Sequence, residues 1–390
     1  MLHEKALITV ESLGGDHPVQ KAMVELHGSQ CGFCTPGIVM SLYARTLGAT
    51  GTFDTDPKDV LAGNLCRCTG YGPILEAARA NPFNPSDNTT IAAQLNTIQN
   101  PEPLEISGWT APKTTDQLAQ ILTERPDARI VAGATDVGLW VTKQHRSLAH
   151  IVYVGDIADL SEIYETPEGL TLGAGARYSD ALEAMTRLHP SMGELVRRIG
   201  AVQVRNSGTI GGNIANGSPI GDMPPALIAL NATVTLRRGE GRRTIPLEDF
   251  FVAYGQQDRQ PGEFVESVFV PRPTGIYRVV KLSKRFDSDI SAVCGAFHVT
   301  VADGIVTAAR IAFGGMAGTP KRAKACEAAL TGQPWSQATL DAAAQALSQD
   351  YQPLSDVRGS SDYRLVSAAN LVRKLWFDGA SVLDVRPVDA

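Results

Sequence analysis

The sequence predicts a multidomain α+β protein, with a small all-helical domain first, an α/β domain next and an antiparallel sheet with covering helices last. Three observations predict this. The chain has 390 residues, too many for one ordinary core. Four of its six cysteines fall in two tight pairs among short helical segments near the amino end. A polar, proline-rich stretch at 81–104 then breaks the pattern, and strand and helix periodicities follow it. The domains are read as 1–80, a linker at 81–104, 105–275 and 276–390, with no internal repeat.

In the first domain, residues 6–10 read as a short strand or connector. Residues 18–26 read as a helix with Val19, Met23 and Leu26 on one face. The first cysteine pair follows as Gln30-Cys31-Gly32-Phe33-Cys34-Thr35-Pro36-Gly37. Thr35 suits an N-cap and Pro36 a first helical position. Ile38, Val39, Leu42 and Tyr43 share a helical face, and Gly48 is placed to stop the helix. Asp56-Pro57 opens a second helix toward Gly63. The second cysteine pair is Gly63-Asn64-Leu65-Cys66-Arg67-Cys68-Thr69-Gly70-Tyr71, and Gly72-Pro73 starts a third helix through Arg79.

Two such pairs, C-x2-C and C-x-C, supply four thiols from two loops. Four thiolates close around zinc or around an iron–sulfur cluster. Structural zinc more often uses two C-x2-C turns, so the tight C-x-C leans toward the cluster. Cys31 and Cys34 sit at a helix amino end, where the dipole and free N–H groups favour thiolate. Arg67, between two of these cysteines, either offsets cluster charge or is a solvated surface residue. His17 and His27 read as surface or capping residues, because the four thiols already complete a site. Cys294 and Cys326 stand alone in apolar surroundings and read as core thiols.

The linker has one short helical piece, around 91–98. Beyond it, residues 115–123 read as a helix, with Leu118, Ile121 and Leu122 on one face. Residues 129–132 form a short buried strand, which runs into Gly133-Ala134-Thr135-Asp136 and a helix from Val137. A strand, a small-residue loop and a helix start make a natural phosphate cradle, though most such turns only turn. Residues 170–175 form another strand ending in glycines. It lacks the third glycine and the later acidic residue of a dinucleotide fingerprint, so it reads as a strand end. Residues 205–222, RNSGTIGGNIANGSPIGD, carry few long side chains. Such a run offers a wall for a flat or extended ligand, with glycines free to take positive φ and Ile210, Ile214 and Ile220 to anchor it. Residues 224–230 read as a helix. Residues 233–236 and 243–245 form a hairpin, and its arginines read as a solvated tip. In the last domain, residues 277–284, 291–301 and 305–313 alternate as antiparallel strands, with Asp303-Gly304 as the hairpin turn. Residues 321–330, 338–347 and 363–377 read as helices.

QCGFCTPGIVMSLY followed by GNLCRCTGYGPIL strongly resembles the second [2Fe–2S] domain of the molybdenum hydroxylases, the xanthine dehydrogenase and aldehyde oxidase family. The match runs through the flanks as well as the cysteines. The resemblance implies a [2Fe–2S] cluster on Cys31, Cys34, Cys66 and Cys68, with Gln30 on the side facing a molybdopterin cofactor. RIVAGATDVGLW and RNSGTIGGNIANGSPIGD resemble the FAD domain of the same family, a vanillyl-alcohol-oxidase-type α+β fold. That resemblance implies FAD contacts from Ile130, Val131, Ala132, Gly133, Ala134, Thr135, Asp136 and Val137 around its phosphate and ribityl part. Further contacts carry over to Ile199, to Thr209, Ile210, Gly211, Gly212 and Asn213, to a hydrogen-bonding Asp222, and to Val265 and Lys281. Tyr254 falls where the family places an aromatic near the nicotinamide approach. The last domain resembles the family's C-terminal α+β flavoprotein domain.

Composition narrows the function. The net charge of −6 gives no basic surface for nucleic acid. The longest apolar runs are far too short to span a bilayer, the amino end lacks a signal peptide's apolar run, and the cysteine usage suits a reducing compartment. A cytoplasmic protein is expected. Its sequence offers no substrate site or molybdopterin domain of its own, and no catalytic residue stands out. The resemblance implies the FAD and iron–sulfur subunit of a bacterial-type xanthine dehydrogenase, in a heterotetramer or larger. A molybdopterin-binding large subunit would hydroxylate hypoxanthine or xanthine, and electrons would pass through the cluster and FAD to NAD+. The alternatives are the equivalent subunit of a hydroxylase acting on aldehydes or N-heterocycles, a zinc-bearing assembly module, and a flavin-binding remnant. Family members begin with a ferredoxin-like domain holding a first cluster. No cysteine precedes Cys31 here, so the expectation is either a truncated reading frame or an interrupted relay.

Overall fold

The computed structural model describes residues 2–48, 56–82 and 89–377. The chain divides into two compact units, residues 1–104 with 200–207, and residues 105–199 with 208–390.

The first unit is built from short helices, Pro18–Glu25, Thr35–Thr46, Pro57–Leu61 and Gly72–Arg79. Their apolar faces meet in one core that holds Val19, Met23, Ile38, Leu42, Leu61, Ile74 and Ala77, and Cys66 lies in it too. Local chemistry starts each helix. His17 Nδ1 accepts from the Val19 amide, so this histidine is a cap, one of the two roles expected of it. Asp56 caps the helix at Pro57 by accepting from the Lys58 amide at 2.8 Å. The helix after the first cysteine pair is capped by Cys34, not Thr35, which takes the first helical position and bonds Ser29 through its hydroxyl. Gly48 follows that helix with φ 73°, as a terminating glycine does. Residues 6–10 form no strand, and the chain instead makes a single 3-10 turn at Val10–Leu13. Arg45 is buried and donates to the carbonyls of Ala78 and Asn81, tying two helix ends together. The piece expected around 91–98 is the helix Thr89–Thr97; of the proline-rich run before it, residues 83–88 lie outside the described residues.

The second unit holds three main sheets. In the first, Ile151–Tyr153 runs parallel to both Trp109–Ala111 and Arg129–Val131. The second is antiparallel, in the order Ile163–Glu165, Gly169–Gly173, Phe264–Pro271, Thr233–Arg238 and Gly241–Pro246. Val268 stands opposite Leu172 on one side and Val234 on the other, all three fully buried. The helices Tyr178–Leu188, Pro190–Arg197 and Met223–Ala229 contribute to the same core, and every residue of the last is buried. The third sheet pairs Ile276–Leu282, Val293–Ala302, Ile305–Gly314 and Lys321–Arg322, with the left-handed pair Asp303 and Gly304 as its turn. Helices Lys324–Leu330, Gln337–Asp350 and Ser361–Lys374 close a core of Phe297, Phe313, Cys326, Leu340, Leu347 and Val372. The overall class is the multidomain α+β architecture predicted, a helical region followed by two flavoprotein domains.

Two local expectations change. Residues 321–322 are strand because they pair with Phe313 and Ala312, and the helix begins only at Lys324. Of the hairpin arginines, Arg238 and Arg242 are exposed, as a solvated tip would be, whereas Arg237 and Arg243 are drawn into ion pairs. Arg237 is buried, with ion pairs to Asp116 and Glu266. Arg242 pairs with Glu266, and Arg243 grips Glu263 through two bonds of 2.8 Å. Four carboxylates, Asp116, Asp258, Glu263 and Glu266, converge there from a helix, loops and a strand, a feature that local sequence does not reveal. Cys294 and Cys326 are both buried, and burial pushes each thiol up. No helix among the described residues is long and apolar enough to cross a membrane.

Phe297 and Phe313 meet edge to face at 5.5 Å between centroids, both fully buried. Phe297→Ala is expected to cost about 3–5 kcal/mol of unfolding free energy, read from urea titration. The Arg243 pairing holds the buried Glu263 carboxyl below its ordinary value of 4.5. A carboxyl lowered on folding stabilises the fold above its ordinary value, and that contribution is lost as pH falls through the lowered one. Stability is therefore expected to fall with acid below about pH 4.5, and less steeply in Glu263→Gln, by urea midpoints across that range.

Candidate metal centre and flavin site

The two cysteine turns come together in the first unit. Cys31 Sγ lies 3.4 Å from Cys68 Sγ. Cys34 and Cys66 are likewise within hydrogen-bonding reach of each other. Each pair takes one thiol from each turn. Gly32 with φ 83°, Gly70 with φ 66° and Tyr71 with φ 68° bend the backbone so that the sulfurs face inward. The Tyr71 hydroxyl accepts from the Cys66 amide at 2.8 Å and donates to the Asn64 carbonyl at 3.0 Å. The Thr69 hydroxyl stands 3.2 Å from Cys66 Sγ. That hydroxyl, helped by the Thr69 amide, lowers the Cys66 thiol to about 7. The Phe33 amide, together with Cys68, lowers Cys31. Cys68 is raised, as the partner that keeps its proton toward Cys31, and burial raises Cys34.

The donor set fits a two-iron cluster. Each iron of such a cluster takes two thiolates, so two pairs are wanted rather than four sulfurs converging on one point. Among the described residues no three His, Cys, Asp or Glu side chains form a ready-made site for a single ion. Cys31 and Cys68 are exposed, Cys34 half-buried and Cys66 buried. Around them Phe33 is 94% exposed and Leu65 67%. Gln30, Arg67 and His27 are also exposed. Thr69 and Tyr71 were in view in the sequence but carried no assigned role, because only the folded turn brings their hydroxyls to Cys66.

In the second unit, the strand Arg129–Val131 ends in the loop before the helix Val137–Thr142. Ala134 takes a left-handed φ of 57°, and the loop faces outward. The amides of Gly133, Ala134, Thr135 and Asp136 make no hydrogen bond within the described chain. Unused amides on a bent backbone suit an anion such as a pyrophosphate. Thr209 caps the helix Ile210–Asn216, its hydroxyl accepting from the Gly212 amide at 3.1 Å. The run from 205 to 222 thus includes a helix. Of its glycines at 208, 211, 212, 217 and 221, Gly217 alone has positive φ. Gly211 is required for another reason: a Cβ there would lie 2.4 Å from the Ala174 Cβ. Gly212 is exposed beside it, and Asn213 Oδ1 is buried without a partner. A buried orphan oxygen next to a bare glycine fits a ligand edge.

Asp222 is buried and already engaged. Its Oδ2 accepts from Lys281 Nζ at 2.5 Å and its Oδ1 from the Ser291 hydroxyl at 2.5 Å. The Cys294 thiol points to the Asp222 carbonyl. The Tyr178 hydroxyl is buried without a partner, and burial with the Asp222 charge pushes it up. Arg198 donates to the Lys281 carbonyl at 3.0 Å, which brings Ile199 beside Lys281. Ile130, Ala132, Ile199, Ile210 and Val265 all join one hydrophobic core. Tyr254 follows the strand Phe251–Ala253 and is 77% exposed. Ser291 and Tyr178 were not singled out in the sequence, since neither lies in a motif.

Three domain families match consecutive stretches. The [2Fe–2S] binding domain matches 9–79, the FAD binding domain in molybdopterin dehydrogenase 103–273, and the CO dehydrogenase flavoprotein C-terminal domain 278–378. The chain belongs to the molybdenum-hydroxylase family. It carries that family's [2Fe–2S] and flavoprotein modules. It is 30% identical to a nicotinate hydroxylase of Emericella nidulans over 96% of this chain and 37% of the relative. It is also 30% identical to a xanthine dehydrogenase of Drosophila subobscura, over 98% of this chain and 34% of the relative. The chain thus spans about a third of the length of the curated relatives it matches. A solved carbon monoxide dehydrogenase of Hydrogenophaga pseudoflava superposes with a TM-score of 0.64 at 29% identity, over 71% of this chain and 96% of that one.

Replacing Cys66 or Cys68 by Ala leaves one iron with a single thiolate. Each change is expected to remove most bound iron and acid-labile sulfide, measured on purified protein, while flavin content stays near that of the parent. Zinc without sulfide in the parent protein would refute the cluster.

Proposed function

We propose that this chain is the electron-transfer subunit of a xanthine dehydrogenase, passing electrons from a molybdopterin-holding partner subunit to NAD+. The observation that carries this reading is one chain holding both a paired four-thiol centre and a flavoprotein fold. When bound, the cluster carries single electrons and FAD exchanges pairs with a nicotinamide, so the chain would connect one-electron and two-electron carriers.

Each group of residues has a task in this reading. Cys31 and Cys68 would hold one iron, Cys34 and Cys66 the other. The Tyr71 and Thr69 hydroxyls orient Cys66 and favour its thiolate form. The amides of 133–136 would receive the FAD pyrophosphate. Gly212 and Asn213 would lie against the flavin, with Asn213 Oδ1 as an acceptor. The Asp222–Lys281 pair, locked by Ser291, keeps a fixed dipole beside that place. The exposed Phe33 and Leu65 beside the thiols give a partner subunit an apolar surface to cover. The large subunit, a heterotetrameric or larger assembly, NAD+ as acceptor and a cytoplasmic location belong to this proposal.

A second reading has its own support: an N-heterocycle hydroxylase stands among the relatives, with the same identity as the xanthine enzyme. Substrate choice would then reside on the partner. The complex co-purified from its native host should form NADH with xanthine. Turnover of nicotinate or an aldehyde without xanthine turnover would replace the first reading by the second.

A further inference from the structure

Residues 200–207 fold with the first unit, although the residues on both sides belong to the second. The excursion leaves after Ile199 and returns just before Thr209, two of the proposed flavin contacts. In the first unit it meets the turn that opens the second cysteine pair. The Gln203 side-chain amide donates to Ser41 Oγ at 3.3 Å and to Asn64 Oδ1 at 3.4 Å. Ser41 Oγ itself donates to the same Asn64 oxygen at 2.8 Å. The Asn64 carbonyl accepts from Tyr71, whose hydroxyl accepts from the Cys66 amide. Gln203 therefore holds the Asn64 side chain, and the backbone carbonyl of the same residue is bonded through Tyr71 to the amide of Cys66.

A second observation points the same way. Gly63 has no room for a side chain, because a Cβ there would lie 2.2 Å from Gln203 Oε1 and 2.8 Å from the Ala201 Cβ. The first glycine of GNLCRC is thus explained by the approach of residues far along the chain. It has no positive φ to explain it otherwise.

We propose that Gln203 is a positioning residue for the metal centre. A segment spliced into the flavin domain supplies the last support of the Cys66–Cys68 turn. The inference rests on the reading that the four thiols hold a [2Fe–2S] cluster.

The test uses the full chain with Gln203→Glu, which keeps the shape but turns a carboxylate toward Asn64 Oδ1, and with Gln203→Ala. Because Gln203 is exposed, both variants are expected to fold with parental melting temperature and flavin content. Iron release to a chelator should be roughly fivefold faster in each, the size of one lost hydrogen bond. The electron paramagnetic resonance spectrum of the reduced cluster should shift, which a merely structural contact would not produce. Gly63→Val, which expels Gln203 from the other side, should reproduce both effects. Release rates and spectra equal to the parent in Gln203→Glu and Gln203→Ala would overturn the proposal. A parent protein without iron or such a spectrum would instead overturn the cluster reading on which it rests.

Discussion

The approach of four sulfurs in two pairs, each drawn from both turns, is the constraint on which the first unit depends. Thiols brought this close resist joint ionisation, and the structure shows that resistance. Cys31 is lowered while its partner Cys68, 3.4 Å away, is raised. A cation that replaces the proton removes the conflict, which is why such turns bind metal as they lose protons. The fold supplies the rest. Left-handed backbone at Gly32, Gly70 and Tyr71 aims the sulfurs, and four short helices hold the turns by burying Ile38, Leu42 and Ile74. No one helix here is long enough to be stable alone, so helices, core and thiol geometry form together.

A different electrostatic solution serves the second unit. The Asp222–Lys281 pair is withdrawn from water, where burial of either charge alone would be strongly unfavourable. Ser291 uses the second carboxylate oxygen, and the Asp222 carbonyl faces the Cys294 thiol. Asp222 stands just before the fully buried helix Met223–Ala229, while Lys281 and Cys294 come from the first two strands of the third sheet and Ser291 from the turn between them. The pair therefore fixes the register between the flavoprotein domains. Among the described residues three buried side-chain atoms lack a partner, the Tyr178 hydroxyl, Asn213 Oδ1 and Arg364 Nε, and the Asp222 charge reaches the first of them. Where nearly every polar atom is bonded, such orphans mark a place that waits for a ligand.

Much of this was legible in the sequence, for identifiable reasons. Helix starts at Asp56-Pro57 and Gly72-Pro73 follow from short-range chemistry that the residues state outright, and so does the Asp303-Gly304 turn. The cysteine spacing also named four thiols that the fold does bring together. What could not be read depends on residues distant in sequence. The hairpin arginines looked solvated because Asp116, Asp258, Glu263 and Glu266 come from elsewhere. Glycine was read for its conformational freedom at 208–221, yet Gly211 is there because Ala174 leaves no space. The carboxylate of Asp222 looked free for a ligand because nothing near it in sequence announces Lys281 or Ser291.

The same distinction explains the excursion at 200–207. Its flanks read as flavin-binding sequence, and its residues are ordinary, so nothing local shows that it folds with the cysteine turns. Its effect is visible at its target, where Gly63 leaves room for Gln203 and Ala201 and the Asn64 side chain accepts from Gln203 as well as from Ser41. A segment that leaves one domain, supports a metal-binding turn in another and returns also constrains evolution on both sides. Insertions in 200–207 would disturb the turn at Cys66, and side chains added at Gly63 would disturb the chain next to Thr209. The Gln203, Asn64 and Tyr71 bonds stiffen that turn at the ligand end.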